Sequence, residues 1–71
     1  MQQSQLEQHE WIKLQLRLVG SSLAEIAREL DLKPATITIV SQGQRRSQRI
    51  ESAISTKLGV PVATLWPDKY R

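Results

Sequence analysis

Basic side chains cluster in the middle of this 71-residue sequence. Residues 33–57 carry five basic residues against one acidic residue, whereas residues 1–32 carry three against five. A local excess of positive charge attracts polyanions, so the chemistry available here is the binding of phosphate groups. A solvated basic surface without a ligand is the alternative that charge alone leaves open.

Phosphate contacts are predicted for Lys33, Arg45 and Arg46, and Arg49 is a further candidate. The N-terminus of a helix that follows Ser22 offers N–H groups and a favourable dipole to one more phosphate. Such contacts hold a protein on a duplex and make its affinity depend on salt.

The residues between these cations could contact base edges in the major groove. Thr38 can hydrogen-bond to several bases, and Gln42 can pair with adenine if its helix lies deep enough. Ala35, Ile39 and the methyl group of Thr36 can touch thymine methyls, so A·T-rich DNA is predicted. For Ile39, packing in the core is the alternative, because exposed isoleucine is disfavoured.

Residues that could support catalysis or metal binding are scarce. Cysteine is absent, and the one histidine, His9, lies at the start of a predicted helix. Acid–base catalysis and metal sites need clusters of such groups, and the pattern contains none. We therefore expect no enzyme activity, no metal site, no cofactor and no small-molecule substrate.

Two short helices joined by a three-residue turn must position the candidate contacts. Ser22 and Glu25 have capping-box spacing at the start of the first helix. Its apolar positions recur at helical intervals: Leu23, Ile26, Ala27 and Leu30. The small Ala27 is predicted at the crossing of the helices, and Pro34 after the turn suits a first helical position. Residues 22–42 thus predict a helix-turn-helix unit.

The second helix of this unit competes with a strand. Residues 36–40 alternate polar and apolar side chains and are all β-branched, which locally favours a strand. Ile37 and Val40, three residues apart, instead match the buried face of a helix that ends at Gly43. We prefer the helix, because packing commonly overrides the few tenths of a kcal/mol that each β-branched residue costs.

The segment before the unit is predicted to be a loose leader, 1–8, and a helix from His9 or Glu10 to Val19, ended by Gly20. Two apolar stripes run along this helix, one of Ile12, Leu16 and Val19 and one of Trp11, Leu14 and Leu18. We expect the chain's own C-terminal segment to cover the second stripe, since apolar stripes are mostly core. A dimer contact is the alternative.

Two further helices are predicted after Gly43. Ser47 caps the first, which buries Ile50, Ala53, Ile54 and Leu58 and exposes Arg49, Glu51, Ser52 and Thr56. A short last helix begins at Pro61 and stops before Pro67, with Leu65 and Trp66 folded back on the core. The predicted fold class is all-α, a compact bundle of about five short helices in one domain, 9–71.

No run of about 18 apolar residues exists, so we expect no membrane span and no membrane partner. No signal-like segment stands at the start, and a cytoplasmic location is the default expectation.

Several short motifs carry a family resemblance: Glu10-Trp11, Ser22-Leu23-Ala24, Ala27-Arg28-Glu29, Ala35-Thr36-Ile37, and the closing Leu65-Trp66-Pro67 with Tyr70. From about residue 10 to its end, the sequence resembles the Ner-like (Nlp) regulators. These are small helix-turn-helix proteins of Mu-type phages and enterobacteria with a lambda-repressor-like fold. The resemblance implies a DNA-binding transcriptional regulator that acts without a cofactor, as two copies (a homodimer) on a partly symmetric operator.

Two features depart from the family pattern. Asp31 stands where many such turns have glycine, although aspartate can adopt positive φ at modest cost. The second helix also lacks the Arg, Lys or Asn that commonly reads guanine or adenine.

The predicted function is that of a sequence-specific double-stranded DNA-binding regulator, a repressor, with the helix at about 34–42 in the major groove. It would act in the bacterial cytoplasm, on the nucleoid. The alternative is a helical protein-interaction module that uses the stripe of Trp11, Leu14 and Leu18.

Overall fold

A computed structural model describes residues 5–67. Within them the chain forms helices and no strand, and the helices are α1 (Gln5–Leu18), α2 (Leu23–Leu30), α3 (Pro34–Ser41), α4 (Gln48–Leu58) and α5 (Val62–Leu65). This confirms the predicted all-α bundle of five short helices. Residues 34–41 are helical, so the competing strand interpretation is wrong.

Local capping decides where α2 and α4 begin. The hydroxyls of Ser22 and Ser47 accept hydrogen bonds from the backbone N–H groups of Glu25 and Ile50, at 3.0 and 3.3 Å. Each bond satisfies one of the N–H groups that a helix start leaves unpaired. Both caps lie where the sequence predicts them.

The ends of α2 and α3 are set by residues with left-handed backbone. Asp31 has φ 59° and Gly43 has φ 80°. After Asp31, the Leu32 N–H donates to the Ala27 carbonyl at 2.9 Å, and after Gly43, the Gln44 N–H donates to the Ile39 carbonyl at 3.1 Å. These bonds close each helix with a Schellman motif, so the chain turns sharply after α2 and again after α3.

One apolar core joins all five helices. It consists of Ile12, Leu16, Ile26, Ala27, Ile37, Val40, Ile50, Ile54, Leu65 and Trp66. The predicted return of Leu65 and Trp66 to the core is confirmed, since both are buried. Because α1 and α4 both pack against α3, the core holds α3 from its inner side.

The first helix begins earlier than predicted. It starts at Gln5 rather than at His9 or Glu10, so residues 5–8 of the expected leader are helical. The rest of that leader, residues 1–4, lies outside the described residues. The sequence of this segment has no apolar periodicity, which is why its helical state was missed.

The faces of α1 also differ from the prediction. Ile12 and Leu16 are buried, but Val19 is 53% exposed, because α1 ends at Leu18 and the chain turns away. Trp11, Leu14 and Leu18 are 39, 50 and 69% exposed. The expectation that the C-terminal segment covers this stripe is therefore wrong for the residues that the structure describes.

Two ionisable residues are buried against expectation. His9 is only 4% exposed, and Glu51, predicted on the exposed face of α4, is only 2% exposed. Each has a hydrogen-bonding partner. His9 is hydrogen-bonded to Ser41 of α3, and Glu51 accepts from Arg46 in the loop before α4. Burial of a polar group is tolerated where such partners exist.

None of the helices in the described part of the chain is long and apolar enough to cross a membrane.

Candidate nucleic-acid interface

The helix-turn-helix unit is built from α2, a three-residue turn and α3. Ala27, at 1% exposure, lies on the buried face of α2, the helix that makes the most extensive contact with α3. Pro34 is the first residue of α3, where a missing N–H costs nothing. These local features project α3 from the bundle at a defined angle to α2.

The two faces of α3 differ in burial. Ile37, Val40 and Ser41 are buried, which confirms the two predicted apolar positions and adds a serine that the sequence pattern did not indicate. On the other side, Ala35 is exposed. The remaining candidate base contacts are half-buried: Thr36, Thr38, Ile39 and Gln42. Ile39 is thus neither a core residue nor fully exposed.

Unpaired cations stand at both ends of α3. Lys33 is the residue before its first turn, and Arg45 follows its C-terminal cap by three positions. Both are exposed, and neither has a hydrogen-bonded or ion-pair partner among residues 5–67. An exposed cation without an internal partner is available to a phosphate.

Arg46 differs from its neighbour Arg45. Its Nε donates to the Glu51 carboxylate at 3.2 Å, and the Ser47 N–H donates to the same oxygen at 3.4 Å. The Arg46 side chain is still 50% exposed, whereas that of Glu51 is 3% exposed. The buried carboxylate therefore orients the loop between α3 and α4 while leaving part of the guanidinium at the surface.

Arg49 is held at the end of α2. Its guanidinium donates to the Leu30 carbonyl at 3.0 Å, one residue before the turn. Nearby, Lys57 donates to Glu29 at 2.9 Å, so α4 is joined to the C-terminal half of α2 by two polar contacts. Of the predicted phosphate contacts, Arg46 and Arg49 thus have partners within the protein.

The predicted phosphate contact at Ser22 would involve backbone N–H groups at the start of α2. Its hydroxyl already accepts the Glu25 N–H, so the side chain stabilises α2 rather than offering a free donor. The other N–H groups of the first turn point out of the helix end, where they can bind an anion. The Glu25 carboxylate, in turn, pairs with Arg28 on the same helix.

Sequence reasoning missed the contact that anchors the end of α3. His9 Nδ1 of α1 is hydrogen-bonded to Ser41 Oγ at 2.8 Å, and the Trp66 indole N–H donates to the Ser41 carbonyl at 3.3 Å. The sequence did contain a signal for the burial of His9, because His9, Ile12 and Leu16 are spaced at i, i+3 and i+7 along one helix. That spacing places His9 on the buried face of α1.

Burial lowers the pKa of His9 below its usual 6.5, and the positive charge of Lys13 adds to the shift, while Glu10 opposes it. A neutral imidazole is therefore favoured where the ring meets Ser41.

One comparison with known proteins identifies the arrangement. The family model described as winged helix-turn-helix DNA-binding matches residues 7–71. No curated protein and no solved structure matches the chain significantly. A wing is a β-hairpin, and residues 5–67 contain no strand.

Proposed function

The chain belongs to the winged helix-turn-helix DNA-binding family, and on that premise we propose that it is a regulator that reads double-stranded DNA with α3. The observation that carries the proposal is the pair of exposed cations, Lys33 and Arg45, which flank this helix and have no partner in the described part of the chain. An eight-residue helix is about 12 Å long, close to the width of the major groove. Phosphates on the two sides of the groove can then meet the two cations.

The half-buried outer face of α3 can distinguish only some of the four bases. Thr36, Thr38, Ile39 and Gln42, with the exposed Ala35, combine methyl groups with a few hydrogen-bonding atoms. Such a surface favours thymine methyls and adenine, so the proposed operator is A·T-rich. Arg46, Arg49 and the N-terminus of α2 after Ser22 are proposed as further phosphate contacts.

The finer identity follows the Ner-like resemblance. That resemblance supports two copies on a partly symmetric operator, in the cytoplasm of a bacterial cell and without a cofactor. Tyr70, one of the residues that carry the resemblance, lies outside the described residues. Repression is the proposed outcome, because a protein seated on an operator blocks access to it. The non-enzymatic role rests on the DNA-binding family and not on any missing group.

Binding to DNA is tested by fluorescence anisotropy with a random-sequence duplex at several salt concentrations. We expect affinity at low salt that falls as salt rises, since each neutralised phosphate adds about 0.9 to the slope of log affinity against log salt. For variants that remove a proposed phosphate contact, such as Arg45→Ala, Lys13→Ala is the matched control. It also removes one exposed positive charge, but from α1, outside the proposed DNA-binding surface. No binding at low salt would overturn the proposal.

Specificity is tested by sequencing fragments that the protein selects from random DNA. The Thr38→Ala variant should then reduce the preference for the selected site over random DNA, because a lost hydroxyl contact is worth about 1 kcal/mol. Equal weakening on both DNAs would assign Thr38 to the DNA backbone.

The exposed stripe on α1 supports a second candidate, a protein-interaction module. The same anisotropy experiment separates the two, since such a module would leave the duplex unbound.

A further inference from the structure

An apolar stripe on α1 is left exposed by the rest of the described chain. Trp11, Leu14 and Leu18 lie on the side of α1 opposite to the buried Ile12 and Leu16. Their spacing of three and four residues forms a straight seam along the helix. A contiguous exposed apolar patch is a feature of interaction surfaces.

The charges beside the seam indicate which partner fits it. Glu10 and Arg17 are seven residues apart, so they flank the same edge of the seam near its two ends. Both side chains are exposed, and Glu10 also pairs with Lys13 of its own helix at 3.1 Å, an exposed pair of the kind that stabilises little. If a second α1 packs antiparallel, Trp11 of each copy meets Leu14 of the other, and Glu10 of each copy meets Arg17 of the other. A parallel pair would place Glu10 beside Gln15, without an ion pair.

We propose that two copies of this chain associate through antiparallel packing of their α1 seams. Trp11 is the central anchor, since tryptophan is a typical interface hot spot. The inference rests on the proposed function, in which two copies occupy one operator, and it names the surface that joins them. A helix of 14 residues is about 21 Å long, so the seam is small and the association in solution is weak. Binding of both copies to one DNA raises their effective concentration and strengthens the contact.

Charge reversal tests both the partner and the orientation. In the antiparallel pair, Glu10→Arg places like positive charges opposite each other twice, and Arg17→Glu places like negative charges opposite each other twice. Sedimentation of each variant alone, without DNA and from micromolar to millimolar concentration, should show self-association weakened about tenfold or more. An equimolar mixture of the two variants should associate at least as strongly as the original chain, because all four charges are then complementary.

Two further variants complete the test. Leu14→Glu should leave the chain monomeric while its circular dichroism stays helical, since Leu14 is half-exposed and outside the core. Arg28→Glu, an exposed reversal on α2, is the matched control and should leave association unchanged.

A chain that stays monomeric at millimolar concentration would overturn the proposal, as would a mixture that associates no better than either variant alone. Neither result touches the proposed function, because the assay contains no DNA. A chain that associates through α1 but ignores every duplex would overturn the proposed function alone.

Discussion

His9 Nδ1 lies 2.8 Å from Ser41 Oγ, and this hydrogen bond joins α1 to the last residue of α3 across 32 positions of sequence. Both side chains are buried, and the Trp66 indole donates to the carbonyl of the same serine. The C-terminal end of the proposed recognition helix is therefore held by a polar contact to α1 and by a second contact to the end of the bundle. A buried contact of this kind fixes one arrangement, because an unpaired group in its place costs free energy.

Stability should fall on mild acidification. Because the pKa of His9 in the folded protein is lowered below 6.5, chiefly by burial, the unfolded chain binds more protons. The stabilisation from neutral His9 is complete above pH 6.5, the usual pKa that applies to the unfolded chain. It is lost as the pH falls from there through the folded-state pKa. Urea unfolding between about pH 7.5 and 5 measures it. The His9→Gln variant should show a flatter profile over this range, and a free energy of unfolding that rises on acidification would contradict the assignment.

Ala27→Leu should destabilise the fold by about 1 to 3 kcal/mol, because added methylenes have no room on the buried face of α2 that packs against α3. Thermal unfolding is the measurement, and the loss corresponds to about 4 to 8 °C for each kcal/mol in a domain of this size. Ala24→Leu, on the exposed face of the same helix, is the matched control and should change little. Equal melting temperatures for the two variants would mean that the crossing is not tight at Ala27.

Asp31→Gly should stabilise the fold by about 0.5 to 1 kcal/mol. Asp31 has φ 59°, a left-handed conformation that glycine adopts without the clash of a Cβ. Asp31→Asn tolerates the same conformation and removes only the charge, so it separates backbone strain from electrostatics. If the two variants raise the melting temperature equally, the gain comes from the lost charge at the end of α2 and not from the backbone.

The neighbours Arg45 and Arg46 should behave differently. Arg45→Ala should lower the salt slope of DNA binding by about 0.9 and leave the melting temperature unchanged, since Arg45 is exposed and has no partner among residues 5–67. Arg46→Ala should also destabilise the fold by about 1 kcal/mol or more, because the buried Glu51 carboxylate loses a charged donor. Parallel salt titrations and melting curves on the two variants check this, and an unchanged slope for Arg45→Ala would remove it from the interface.

Local chemistry made much of the fold readable in advance. The caps at Ser22 and Ser47, the position of Pro34 and the left-handed Asp31 each depend on a few neighbouring residues, and each is confirmed. The position of the helix-turn-helix unit, and the cations that bracket α3, follow from these signals. The propensity of residues 36–40 for a strand failed there, because contacts of α3 with α1, α2 and α4 outweigh the small cost of β-branched residues.

Contacts between distant segments decided the rest. Sequence determined that α3 begins after the turn, but only tertiary packing buried His9 against Ser41 and Glu51 beneath Arg46, and left Trp11 exposed. Spacing along α1 places His9 on the same face as Ile12 and Leu16, but it does not say which helices cover that face or which side chain His9 meets there. The same reason explains why two adjacent arginines, alike in sequence, differ in structure: one reaches a buried carboxylate, and the other does not.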